Sequence, residues 1–283
     1  MSAAPNRDQA EAWNGDSGIR WAATADLRDQ VLAPVAQALL HRAAPSGSEQ
    51  VLDVGSGCGA TTIAAASAVG TSGSALGIDL SKPMLQIARQ RSADAGLCNI
   101  EFVEGDGQTH AFEPGSADLA ISRFGTMFFN DPRAAFANIG AGMADGGRLC
   151  IATWQPLAAN EWLLVPGAVL LRYTELPAEG PPTTGMFAQS DPQVIVDLLQ
   201  GAGFRDVETE AVELGLNLGR TAEDAATYLA DTGPGRKLLD AIPVPATREE
   251  ALAAVVAELS ARIDADGVHL AAGILLTAAR WHH

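Results

Sequence analysis

Three acids stand at or near the ends of three apolar runs: Asp53 in Val51-Leu52-Asp53-Val54, Asp79 after Ala75-Leu76-Gly77-Ile78, and Asp106 in Glu104-Gly105-Asp106-Gly107-Gln108. The first run opens directly into Gly55-Ser56-Gly57-Cys58-Gly59, and then into the Ala-rich segment 60–66. A strand, a glycine turn and a helix in that order place backbone N–H groups around a small ligand at the carboxyl edge of a parallel sheet. Gly55, Gly57 and Ala60 satisfy the dinucleotide fingerprint, and Asp79 supplies the acid expected about twenty residues on for a ribose. An NAD(P)-dependent oxidoreductase therefore fits the turn taken alone. Asp53 pulls the other way, because a carboxylate at the turn opposes a pyrophosphate and favours an ammonium or sulfonium. Asp106 adds an acceptor for an exocyclic adenine amine.

Other chemistry-bearing residues have two readings each. Arg123, a lone cation among apolar neighbours, could grip a substrate or cofactor carboxylate bidentately, or simply pair with Asp53 or Asp118. His110 could act as a general base or be an ordinary loop histidine. Trp13, Trp21, Trp154 and Trp162 could roof a cationic centre or pack a cap, and Phe124 and Phe128 line a pocket by their position after the fourth apolar run. His41 and His269 read as structural, and Cys58 as a small side chain in the turn.

The elements that must hold these residues alternate. Strands are expected at 51–54, 75–79, 100–103, 117–122 and 147–153, with helices at 60–69, 83–95 and 132–143, the rhythm of a doubly wound α/β sheet. Residues 8–44 read as helical, with Leu27, Val31, Val35, Leu39 and Leu40 on one face despite Pro34. Beyond 155, helices are expected near 160–173, 191–199, 221–231 and 246–264, the last with Leu252, Val255, Val256, Leu259 and Ile263 as its apolar face. Strands are expected near 204–214 and 268–279. The domain plan is a cap at 1–44, a core at 45–155, a cap insertion at 156–200, and sheet-edge strands at 201–283 carrying a helical insertion at 217–266.

Of the 283 residues, 47% are hydrophobic and 18% charged, enough for a sizeable core. A net charge of −16 leaves no electrostatic footprint for nucleic acid or anionic membrane, so the expected partner is a small molecule. Three scattered cysteines make neither a disulfide framework nor a metal site. No secretory signal or bilayer-length apolar run is seen, so a cytoplasmic location and a monomer or homodimer are expected. His282-His283 carries no chemical weight.

At residues 45–155 the chain resembles the class I S-adenosylmethionine-dependent methyltransferases, on Val51–Gly59, Asp79, Asp106 and the turn Gly146-Gly147-Arg148-Leu149 before a fifth strand. Trp13-Asn14-Gly15, the segment 122–129 and Trp154-Gln155-Pro156-Leu157 look like a bacterial subgroup acting on small molecules. The resemblance implies a seven-stranded, mostly parallel Rossmann-like methyltransferase sheet with helical cap insertions. It also implies methyl transfer from S-adenosylmethionine to a small, fairly apolar acceptor, or a cofactor-holding protein that does not methylate. It further implies site roles. Gly55, Ser56 and Gly57 face the methionine moiety, with Asp53 orienting its ammonium and Ser122 offering its carbonyl. Asp79 takes the ribose hydroxyls, Leu80 and Met84 line the adenine, and Asp106, Gly107 and Gln108 meet its edge. Trp13, Arg123, Phe124, Phe128 and Trp154 line the acceptor pocket. No metal is implied, and no catalytic residue beyond the candidates His110 and Arg123.

Overall fold

The structure is a computed structural model that describes residues 5–175 and 184–282. Four short helices come first: α1 (Arg7–Asn14), α2 (Asp16–Ala23), α3 (Ala25–Val31) and α4 (Ala33–Ala43). The α/β core follows as β1 (Gln50–Val54), α5 (Ala60–Val69), β2 (Ser74–Asp79), α6 (Lys82–Asp94), β3 (Ile100–Glu104), β4 (Ala117–Arg123), α7 (Pro132–Gly142) and β5 (Met143–Trp154). Then come α8 (Glu161–Leu170), α9 (Pro192–Ala202), β6 (Arg205–Asn217), α10 (Ala222–Asp231), α11 (Gly233–Asp240), α12 (Pro245–Ser260), β7 (Ile263–Asp264) and β8 (Gly267–Arg280).

The main sheet runs β3-β2-β1-β4-β5-β8-β6, with the two-residue β7 pairing only β8. The first five strands are parallel, and β8 joins β5 and β6 antiparallel, which is the expected doubly wound sheet with an edge hairpin. Strand alternation sorts the side chains into two cores. Val51, Leu119, Ile121, Cys150, Ala152 and Trp154 pack with α4, α5, α8 and α10–α12, whereas Leu52, Val54, Ala120, Leu149 and Ile151 pack with α7 and α9. Arg123 continues the Leu119–Ile121 series, so β4 delivers it to the same face as the caps. Since β1 leads out to β2 on one side and meets β4 on the other, the sheet reverses its order between them. Ligands of open α/β sheets bind outside the carboxyl ends at that crevice.

Several expectations on element boundaries need correction. The segment 8–44 is helical as four helices, but the single face expected from Leu27 to Leu40 is broken at Leu32, because Pro34 lacks the N–H an interior position needs and sits instead in the first turn of α4. Leu27 consequently leaves the common face and is 39% exposed, while Val31, Val35 and Leu39 are buried. The last helix stops at Ser260, which puts Ile263 on an exposed two-residue strand instead of a helix face. Helix α11 has no counterpart in the sequence reading. The Gly146-Gly147 turn lies inside the span of β5, as an irregularity where the pairing shifts from Ala117–Met143 to Leu119–Arg148. Residues 176–183 of the expected cap insertion, residues 1–4 of the N-terminal cap and His283 lie outside the described residues.

Helix starts follow side-chain chemistry. Ser81 accepts the Met84 N–H, Asp131 that of Ala134, and Asp191 that of Gln193, with proline in the first turn each time. Phe136 of α7, with no exposed surface, anchors that helix beneath β1, β4 and β5. Truncation by Phe136→Ala is expected to cost about 3–5 kcal/mol, read as a lowered urea midpoint at unchanged slope.

Candidate active site

The glycine turn and the end of β4 meet at van der Waals distance, and this contact forms the floor of a cavity. A Cβ on Gly125 would lie 2.6 Å from the Val54 carbonyl and 2.9 Å from the Gly55 Cα, so only glycine lets the two segments close. Gly57, at φ +55°, keeps a second gap open: a Cβ there would come within 2.9 Å of Met84 Cε. Between these points the cavity is lined by Gly55, Ser56, Gly57, Asp79, Leu80, Met84, Asp106 and Gly107. Eight of the eleven expected cofactor residues thus face one space.

The other three stand behind it. Asp53 is fully buried beneath the turn, where its Oδ2 accepts from the Thr61 and Thr62 hydroxyls at 2.7 and 2.6 Å. Burial pushes its pKa up, against those two hydrogen bonds and the charge of Arg123. Ser122, also buried, donates to the Val54 carbonyl at 2.6 Å and accepts from the Gly125 N–H, riveting the floor together. Gln108 accepts from Asn6 and from the Asp131 N–H.

Asp79 is bound but not saturated. One of its oxygens accepts from the Gly57 N–H and the other from the Ser81 N–H, both at 2.8 Å. A carboxylate has about four acceptor positions, which leaves room for two hydroxyl donors. Burial raises its pKa to about 6, against those backbone hydrogen bonds. Two further buried groups at the turn, Asp53 Oδ1 and Ser56 Oγ, meet no partner. A ligand carrying an ammonium or hydroxyl would satisfy such atoms.

The N-terminal helices close the rim. Asn6 donates to both oxygens of Asp106, at 2.9 and 3.0 Å, and its side-chain oxygen accepts the Asn130 N–H. Ser81 donates to the Trp13 carbonyl, and Asn14 bridges the Leu80 carbonyl and the Lys82 N–H. Trp13 packs edge-on against both Trp21 and Phe128.

Past the glycine turn the cavity becomes aromatic. Trp21, Phe124, Trp154, Trp162, Met127 and Tyr228 line it with Arg28 and Arg123. Phe124 lies flat on Trp154, 4.1 Å between centroids and 10° between planes, and takes a left-handed backbone, φ 68°, to do so. Such a conformation is uncommon for a bulky residue and recurs at functional sites. Arg28 is engaged through two of its nitrogens: Nε donates to Thr24 and Nη2 to Asp231, and the guanidinium stacks 4.4 Å from Trp21. Arg123 pairs with Asp29 of α3 at 2.9 Å, and so with neither Asp53 nor Asp118; the latter accepts the Gln50 N–H.

All five expected pocket residues (Trp13, Arg123, Phe124, Phe128 and Trp154) line the cavity. His110 does not; it packs edge-on against Phe112 and is not part of the lining. Among the described residues no histidine lines the cavity, and no cluster of His, Cys, Asp or Glu could hold a metal. Cys58 does line it, but burial pushes its thiol up to about 12, leaving no thiolate. Sequence reasoning missed Asn6, Arg28 and Tyr228 altogether. Trp21 and Trp162 carried a signal, as aromatics flanking the core.

Residues 51–147 match the family described as methyltransferase domain. Over 183 residues the chain is 31% identical to nocamycin O-methyltransferase of Saccharothrix syringae, covering 62% of this chain and 65% of that protein. Over 120 residues it is 32% identical to aklanonic acid methyltransferase of a Streptomyces species, covering 42% and 54%. The chain thus spans less than two thirds of the length of these curated relatives. Its fold is similar to that of a phosphoethanolamine N-methyltransferase of Haemonchus contortus, with a TM-score of 0.59 at 18% identity over 99% of this chain and 61% of that one. No helix among the described residues is long and apolar enough to cross a membrane. Through residues 51–147 the chain is thus similar to methyltransferases.

Proposed function

We propose that the protein transfers the methyl group of S-adenosylmethionine to a small, fairly apolar acceptor. The observation that carries this reading is one continuous cavity with two linings: a polar end at the glycine turn, Asp79 and Asp106, and an aromatic end under the caps. In this reading residues 45–155 hold the cofactor, and the described parts of the segments 1–44, 156–200 and 217–266 enclose the acceptor. The three cysteines are free thiols, which fits a reducing compartment such as the cytoplasm.

The residues present suit that cofactor. Gly55 and Gly57, which carry no side chains, leave space for its amino-acid end, while Ser56 Oγ and the unpartnered Asp53 Oδ1 supply polar atoms nearby. Asp79 has lone pairs for two ribose hydroxyls, Leu80 and Met84 flank the ring, and Asp106 with Gly107 meets its edge. Gln108 and Ser122 act from behind, by holding Asn6 and the Val54 carbonyl. When bound between these residues, the cofactor would supply an electrophilic sulfonium methyl to an acceptor lone pair, with sulfur keeping the electrons of the carbon–sulfur bond. The chain's contribution is to position the partners and exclude water. Neither Cys58 nor Tyr228, whose hydroxyl burial raises to about 12, is a base near neutral pH.

Isothermal titration should show binding of S-adenosylhomocysteine and none of NADH; the reverse would overturn the reading. Asp79→Ala should weaken S-adenosylhomocysteine by about 1–3 kcal/mol through loss of the ribose contacts. The pH dependence has a definite sign. Asp79 is an anionic acceptor above a pKa of about 6 and a protonated acid below it, so wild-type affinity should fall as pH drops from 7.5 to 5. In Asp79→Ala that component of the slope should vanish.

A further inference from the structure

The aromatic end of the cavity holds two hydrogen-bond donors that the protein does not use. Arg123 Nη1 is buried and has no partner, whereas Nη2 binds Asp29. Asp29 itself is divided, one oxygen to Arg123 at 2.9 Å and the other to Arg91 at 2.7 Å, so Arg123 receives half of a carboxylate. Tyr228 lines the same cavity, is 4% exposed, and its hydroxyl meets no hydrogen-bond partner among the described residues. Burial keeps that hydroxyl protonated, hence a donor. Around them stand the ring faces of Trp21, Phe124, Trp154 and Trp162.

Building on the methyl-transfer reading, we propose that the acceptor is a planar, conjugated molecule bearing an anionic oxygen group, and that Arg123 together with Tyr228 anchors this group. A buried guanidinium N–H without a partner is costly, and an oxyanion satisfies it with a charge-assisted hydrogen bond. The neighbouring indole and phenyl faces suit a flat ring system. Among the described residues no histidine or carboxylate lines the aromatic end of the cavity, which also suits an acceptor that arrives already ionised. The rival occupant of Arg123 is the carboxylate of the cofactor. Tyr228 argues against it: this second free donor comes from α10, on the cap side, and lines the same cavity as Arg123.

The test uses 2-naphthoate and its neutral counterpart 2-naphthamide, titrated by tryptophan fluorescence with and without S-adenosylhomocysteine. Wild type should bind the naphthoate at least about tenfold more tightly than the amide. Arg123→Met should bring the two within about twofold of each other, with S-adenosylhomocysteine affinity unchanged. Tyr228→Phe should weaken naphthoate several-fold. Equal affinity for the two probes in wild type would overturn the assignment without recourse to any variant. So would an Arg123→Met protein that loses S-adenosylhomocysteine and keeps its anion preference, for then the guanidinium serves the cofactor. Failure of wild type to bind S-adenosylhomocysteine would strike the methyl-transfer reading instead, and the probe comparison run without it would still decide the role of Arg123.

Discussion

The buried carboxylate of Asp53 is the joint on which the site depends. It leaves β1 on the face that α5 covers, and two hydroxyls one residue apart on the first turn of α5 close on a single one of its oxygens. Removing a carboxylate from water is costly unless hydrogen bonds replace the lost hydration. The strand and the helix are therefore held at the angle that lets both threonines reach. The glycine turn is the piece of chain that must bridge them at that angle, which sets its unusual φ values and the direction of its N–H groups. The floor of the polar end is then placed by short hydrogen bonds to the backbone: the Gly57 N–H donates to Asp79, and the Ser122 hydroxyl ties the end of β1 to the end of β4.

The aromatic end rests on a different principle. Its walls come from segments far apart in the chain, and polar pairs pin them in place. Arg28 of α3 reaches Asp231 across 203 positions, and Arg123 of β4 reaches Asp29. Each pair is largely shielded from solvent, so its geometry is kept. With α3 clamped to both β4 and α10, the caps and the core share one hydrophobic cluster rather than packing as separate bodies.

This division explains what could be read in the sequence. The sheet was legible because its strands are short apolar runs closed by glycine or acid, and Asp79 and Asp106 fall where such runs end. The Asp53–Gly59 stretch was legible for the same reason, though Gly55, Gly57 and Ala60 alone also suited a dinucleotide. The caps were less so. Leu27 matched the helical period but lies across one helix break from Leu39, and period counting does not see a break that costs only a residue or two. Asn6 sits in a polar stretch with no pattern, and its role exists only because Asp106 approaches it in space. Tyr228 falls on an ordinary amphipathic helix; that its hydroxyl is left without a partner is a property of packing. Even Arg123, singled out at once, drew the wrong partner from sequence, because local acids were the only ones in view.

The rim contacts of residues 6–14 have a kinetic meaning. Apart from the ring packing of Trp13, they are hydrogen bonds between polar groups: Asn6 to Asp106 and Asn130, Ser81 to Trp13, and Asn14 to Leu80 and Lys82. Water can take over each of them at little net expense, whereas α4 is seated by buried Val35 and Leu39 and cannot be wetted without exposing apolar surface. The N-terminal cover is thus two parts in series, a zip fastener along the edge and a hinge plate behind it. Traffic through the cavity can run by unfastening the first while the second stays shut, so exchange of small molecules need not disturb the core that shapes them.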